Sequence, residues 1–116
     1  MAYEEDAVIV AAADRTTSGN SGAQITGKAL NLSIIVEVTA NSGTTPTLDF
    51  SVEWSADGVN FAVAQPADNF TQITTVVPTR VVKSFSVKAD NFRVVWVIAG
   101  TTPHYTFQVT RYAVGA

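Results

Sequence analysis

The chain has 116 residues, enough to bury one hydrophobic core and too few for two, so one domain is expected. Apolar residues make up 47% and charged residues only 15%, against about 25% charged in ordinary soluble domains, which leaves apolar surface in search of a partner. A net charge of -3, with seven scattered Lys and Arg, supplies no nucleic-acid footprint, and the absence of cysteine excludes disulfides and thiolate metal sites.

In chain order, the start MAYEEDAVIV lacks the basic and long apolar regions of a secretory signal, and no apolar run approaches the about 20 residues of a membrane helix. A soluble protein made in the cytoplasm is the expectation. Residues 1–6 read as an extended N-terminal arm and residues 7–116 as the domain. The run Ala7 to Ala13 is a strand that is apolar on both sides. DRTTSGNSGAQITG follows as the longest polar connection, expected to be a mobile or partner-ordered loop.

From Ala29 to Ala40 the even positions Leu30, Leu32, Ile34, Val36 and Val38 alternate with a polar set that includes Asn31, Ser33, Glu37 and Thr39, the period of a half-buried strand. Leu48, Phe50, Val52 and Trp54 repeat the pattern against Asp49, Ser51 and Glu53. Asp57-Gly58 then marks a hairpin. A short strand around Phe61 to Ala64, a QPADN loop, and an FTQITTVV strand stopped by Pro78 follow. Phe85 and Val87 share one face of the next strand. FRVVWVIA is apolar on both faces except at Arg93, with Phe92, Val94, Trp96 and Ile98 inward, and Tyr105, Phe107 and Val109 alternate along the last strand. No stretch has helical period. The expected fold is a single antiparallel β-sandwich, all-β and jelly-roll-like, of about eight strands.

One phrase occurs twice, as SGTTPTLDFSV from Ser42 and AGTTPHYTFQV from Ala99. Gly43 and Gly100 suit positive-φ corners, and Pro46 and Pro103 fix φ and remove an amide donor. The simplest reading is two β-hairpins with similar connections, with independent use of a good turn as the alternative.

Catalytic chemistry is sparse. His104 is the one histidine, lies beside Pro103, and has no companion at metal-ligand spacing. Glu37, Asp49 and Glu53 fall on the polar face of one expected hairpin and would be the carboxylates of a hydrolase or calcium site if there were one, although a solvated face is the commoner reason for such a pattern. WSADGVNF is similar to the S-x-D-G hairpins of sialidase-type Asp boxes and some sugar-binding sandwiches, yet Trp54 points inward, leaving Tyr112 as the clearest wet aromatic. Nothing calls for a cofactor or an enzyme. Val8, Val10, Ile35, Val95 and Val97 are apolar positions left over by the core pattern and are the self-association candidates, in a homo-oligomer.

From Leu48 to Val109, LDFSVEWSADGVNF, FTQIT and VVKSFSVKADNFRVVWVIAGTTPHYTFQV resemble small β-sandwich virion proteins of tailed bacteriophages, of the head decoration (cement) type. The resemblance covers half to two-thirds of the chain. It implies a non-enzymatic structural protein on the capsid surface, binding the phage major capsid protein as a homo-oligomer, with a trimer favoured, and contacting neither nucleic acid nor membrane. A neck, tail or fibre component and a carbohydrate-binding module are the alternatives. Under the resemblance, the shell contacts come from the arm, through Tyr3, Glu4, Glu5 and Asp6, and from Arg15 in the polar connection.

Overall fold

The structure is a computed structural model that describes residues 3–74 and 78–115. Among them are seven strands and no helix: β1 (Tyr3–Arg15), β2 (Gly19–Asn20), β3 (Gln24–Ile25), β4 (Ala29–Ser55), β5 (Ala62–Asn69), β6 (Thr79–Ser86) and β7 (Asn91–Gly115). All pairings are antiparallel.

The frame is one pair of long strands. β4 and β7 run antiparallel along their whole length, from Ala29↔Gly115 to Ser55↔Asn91, with register shifts where the two GTTP phrases meet. There the pair folds over. The first half of β4 and the second half of β7, flanked by β6 and β1, form layer I; the second half of β4 and the first half of β7, flanked by β5 and by β2 and β3, form layer II. Phe107 of layer I meets Phe50 and Trp96 of layer II edge-on, at ring-centroid distances of 5.1 and 5.3 Å. The molecule is thus an all-β antiparallel sandwich whose two layers are a single folded sheet.

GTTP is therefore a corner and not a hairpin turn. Gly43 (φ 108°) and Gly100 (φ 124°) take positive φ, and so do Thr45 (φ 46°) and Thr102 (φ 45°) two residues on. Two left-handed breaks bend each strand without reversing it, so each copy bends one of the two partner strands at the same crossing. The Gly and Pro chemistry that suggests a hairpin specifies only a local break in the strand; whether the chain returns on itself depends on which strand it pairs with next.

The core follows the alternation. Leu32, Ile34, Val36, Val38, Leu48, Val52, Phe92, Val94, Tyr105, Phe107 and Val109 are fully buried, and Phe50 nearly so. Each side chain of this size removed from water contributes about 1.5–3 kcal/mol before the entropy of ordering it. Trp54 and Trp96 are inward as expected, with indole N–H groups donating to Asp68 Oδ2 at 2.7 Å and to the Thr17 carbonyl at 3.2 Å. Leu30 departs from the pattern and is 57% exposed, because a register shift between Ala29 and Asn31 turns it outward.

Four other expectations change. Residues Tyr3 to Asp6 are the opening of β1, paired with the last residues of β7 from Tyr3↔Gly115 to Asp6↔Tyr112, so their backbone is held in the sheet; residues 1 and 2 of the expected arm lie outside the described residues. The polar connection supplies β2 and β3, and Thr26 is buried there, its hydroxyl donating to the Ala89 and Asp90 carbonyls. QPADN lies inside β5, where a register shift separates Val52↔Asp68 from Glu53↔Val63. FTQIT carries only a bridge between Leu48 and Ile73, reinforced by the buried Tyr105, whose hydroxyl donates to the Thr74 carbonyl at 2.8 Å; residues 75–77 of that expected strand lie outside the described residues.

Candidate functional site: the outer faces of the sandwich

The carboxylates expected together are separated by the corner. Glu37 lies on layer I, where it pairs with Arg80 at 3.4 Å, while Asp49 and Glu53 lie on layer II. Glu53 accepts from Arg93 at 2.7 Å, and the Arg93 guanidinium sits 4.4 Å from the Phe61 ring centre. Asp49 accepts from Gln72 Nε2 at 3.1 Å. Among the described residues no three His, Asp or Glu side chains are grouped so as to hold a metal ion.

His104 is less isolated than its sequence context indicates. Its Nδ1 lies 3.0 Å from Asp14 Oδ2, and the two line a shallow cleft of about 280 Å³ with Ala40, Asn41, Ser42 and Thr106. An acid, an imidazole and a hydroxyl meet here, but no hydrogen bond joins Ser42 to the ring, and Asp14 and His104 are 57% and 45% exposed. A nucleophilic serine needs a base within hydrogen-bond reach. The cleft contains an exposed contact between a carboxylate and an imidazole and lacks that machinery.

At the expected hairpin, β4 and β5 are joined by a loop longer than the two-residue turn suggested by Asp57-Gly58, with Glu53↔Val63 and Trp54↔Ala62 closing it. Asp57 organises this loop. Its carboxylate accepts from the backbone N–H of Val59 and of Asn60, from the Asn60 side chain and from the Ser55 hydroxyl, all at 2.8–2.9 Å. These donors, the Asn60 amide foremost, hold the carboxyl well below the usual carboxylate range. Gly58 takes positive φ at 79°. The S-x-D-G motif is accounted for by its own loop.

The self-association candidates are divided among three places. Val10 is 5% exposed and belongs to the core: β1 is bulged between Val8 and Val10 and again between Val10 and Ala13, which turns Val10 inward. Val95 and Val97 lie on the outer face of layer II, paired with Ser51 and Asp49; Val97 is 49% exposed and Val95 half-buried. Val8 and Ile35 lie on the outer face of layer I, both paired with Thr110. Ile35 also pairs with Val82, so that Val8, Thr110, Ile35 and Val82 form one row across four strands, with Val8 55% and Val82 63% exposed. Sequence reading omitted Val82. The signal was available as an apolar residue out of phase with Phe85, but the pairing that sets it beside Ile35 is visible only in the register.

Of the shell-contact candidates, Asp6 is exposed at the edge of layer I. Tyr3, Glu4 and Glu5 have their backbone in β1. Arg15 is turned to an internal use. Its guanidinium lies 4.6 Å from the Phe107 ring centre and 5.3 Å from that of Trp96, and it donates to the carbonyls of Ala11, Ala13 and Phe107.

No protein-family model and no curated protein sequence matches the chain. Its fold is shared with solved structures at low identity. The SPBc2 prophage-derived protein YomS is similar with a TM-score of 0.57 and 12% identity, over 99% of this chain and 96% of that one. The PBSX exported protein XepA gives a TM-score of 0.60 and 14% identity over 97% of this chain, which spans 37% of XepA. A chain of the T13 viral particle of IBDV gives 0.64 and 8% identity over 98% of this chain, which spans 31% of that one. These likenesses establish a shared sandwich.

Proposed function

We propose that this chain is a non-enzymatic virion structural protein, and specifically a decoration protein that binds the outer surface of a phage head and stabilises it. The observation that carries the reading is the match of nearly the whole sandwich to a prophage-derived protein, a prophage exported protein and a chain of a virus particle. The chemistry on the surface supports it. A cement protein acts by burying surface on its neighbours, and this sandwich presents exposed apolar residues on both outer faces while Glu37, Asp49 and Glu53 are engaged in ion pairs and side-chain contacts.

In this reading the outer face of layer II, with Val95 and Val97, and the β1 edge, with Tyr3, Glu4 and Glu5, are the surfaces offered to the major capsid protein. Layer I is left for contacts between copies. Self-association is part of the proposal, and native mass measurement decides between the trimer that the resemblance favours and another number of copies. The location is the virion, reached after synthesis in the host cytoplasm.

The test mixes purified protein with undecorated heads of the phage whose genome encodes it and counts bound copies. Saturable binding at about micromolar protein is expected, corresponding to roughly 8 kcal/mol per site. No binding at that concentration removes the decoration role, and imaging of whole particles would then show whether the chain sits instead at the neck, tail or fibre.

A further inference from the structure

We infer that the outer face of layer I is a self-complementary surface on which two copies of this chain pair face to face about a two-fold axis. Three rows of paired residues define it. The first is Asp6, Tyr112, Ser33 and Ser84; the second is Val8, Thr110, Ile35 and Val82; the third is Gln108, Glu37 and Arg80, at the level where the β1 bulge turns Val10 inward. An apolar row thus lies between two polar ones. Charges sit at opposite corners, Asp6 on β1 and Arg80 on β6, both exposed, with Arg80 also 3.4 Å from Glu37 beside it in its own row.

The register selects the orientation of the second copy. With strands about 4.8 Å apart and same-face residues about 6.8 Å apart along a strand, the patch is about 14 Å on each side. A square patch accommodates sheets crossing near a right angle, one of the two usual ways that sheets pack. That crossing exchanges opposite corners, so each copy's Asp6 meets the other copy's Arg80, twice per pair. It also lays the apolar rows across each other between Thr110 and Ile35, bringing Val82 over Tyr112 and Ser33 and Val8 over Gln108 and Glu37. A two-fold axis along the strands would set Asp6 against Ser84, and one along the apolar row would set it against the bulged stretch of β1. Neither matches opposite charges.

The overlap of two such four-stranded faces is about 200 Å² per copy, well below the roughly 800 Å² per partner of a stable complex. The pair is therefore weak in free solution and becomes effective when neighbours hold copies close together. This inference rests on the self-association part of the proposed function and commits it to pairs, in place of the trimer that the resemblance favours.

Sedimentation equilibrium from about 10 μM to about 2 mM tests it, a range that brackets weak association. A monomer–dimer equilibrium is expected. Asp6→Arg and Arg80→Glu should each weaken it at least about fivefold, the double reversal should restore it toward wild type, and Ile35→Glu should abolish it. Melting temperatures of the variants, all altered on the outer face, confirm that they remain folded. A monomer throughout the range, a trimer, or single reversals that leave the equilibrium unchanged overturns the inference. Head binding is scored separately: its failure leaves the dimer equilibrium intact, and a monomer in this experiment leaves head binding intact.

Discussion

Gly43 and Gly100 occupy the same crossing from opposite strands, each in backbone contact with the other's phrase. A Cβ on Gly43 would lie 2.6 Å from the Thr102 carbonyl oxygen and 2.9 Å from Pro103 Cα, and a Cβ on Gly100 would lie 2.9 Å from both Pro46 Cα and the Thr45 carbonyl oxygen. The repeated phrase is thereby explained as two matched halves of one corner. Each needs a glycine because the other's backbone fills the space where a side chain would stand, and because its own φ is positive.

Gly43→Ala and Gly100→Ala should therefore each destabilise the domain by about 2–4 kcal/mol, combining a left-handed φ penalty with displacement of rigid backbone. Because both strain the same crossing, the double variant should cost less than the sum of the two. Urea titration of the four proteins measures this. Independent hairpin turns would instead give additive losses.

Thr45 and Thr102 hold positive φ despite a branched Cβ, a conformation that is unfavourable for threonine by about 1–2 kcal/mol. Asparagine tolerates that region better. Thr45→Asn and Thr102→Asn should each raise stability by about 0.5–1 kcal/mol, or roughly 2–6 °C in melting temperature, read by differential scanning calorimetry. A fall in melting temperature at both positions would show that threonine contacts at the corner, such as the 2.8 Å bond from the Thr102 hydroxyl to the Thr101 carbonyl, outweigh the strain.

Strand alternation made most of the core legible from sequence. The inward sets from Leu32 to Val38, Leu48 to Trp54, Phe92 to Trp96 and Tyr105 to Val109 needed only period two. Pairing was not legible, because a strand's sequence carries its faces but not its neighbour. Glu37 and Glu53 fall on the same side of one continuous strand, β4, yet end on different layers because the corner lies between them. The layer I row was hidden for the same reason: Val8, Ile35 and Val82 are distant in sequence and become neighbours only through Thr110 and the β4–β6 register. Val10 was misplaced because a bulge shifts phase without any composition signal in an all-apolar run.

Arg15 closes the end of β1. Its guanidinium covers the faces of Phe107 and Trp96 and satisfies the Ala11 and Ala13 carbonyls, and burial lowers its pKa. Arg15→Ala should cost about 2 kcal/mol, combining a cation–π contact of about 0.5–2 with hydrogen bonds of about 0.5–1.5 each, partly replaced by water. Trp96 should gain solvent exposure, seen as a red shift and stronger quenching of its fluorescence. Arg15→Lys should recover only part of the loss, since an ammonium cannot reproduce the planar fork. Unchanged emission in Arg15→Ala would show that the ring is shielded by other groups.

Asp57 gives the fold an acid limb. Its carboxylate is held below its unfolded-state value by the Asn60 and Val59 amides, the Asn60 side chain and the Ser55 hydroxyl. A depressed folded-state pKa contributes stability that is fully present above the unfolded value, about 3.9, and is lost as pH falls toward the folded value. Melting temperature should therefore be insensitive to this group from neutral pH down to about 5 and should fall progressively below about 4. Asp57→Asn keeps one acceptor oxygen and removes the titration, so its curve should start lower at neutral pH and converge on wild type at the acid end. Calorimetry in buffers spanning that range decides it: parallel curves for the two proteins would mean that the acid limb belongs to other carboxylates and that the Asp57 loop is held by geometry rather than by charge.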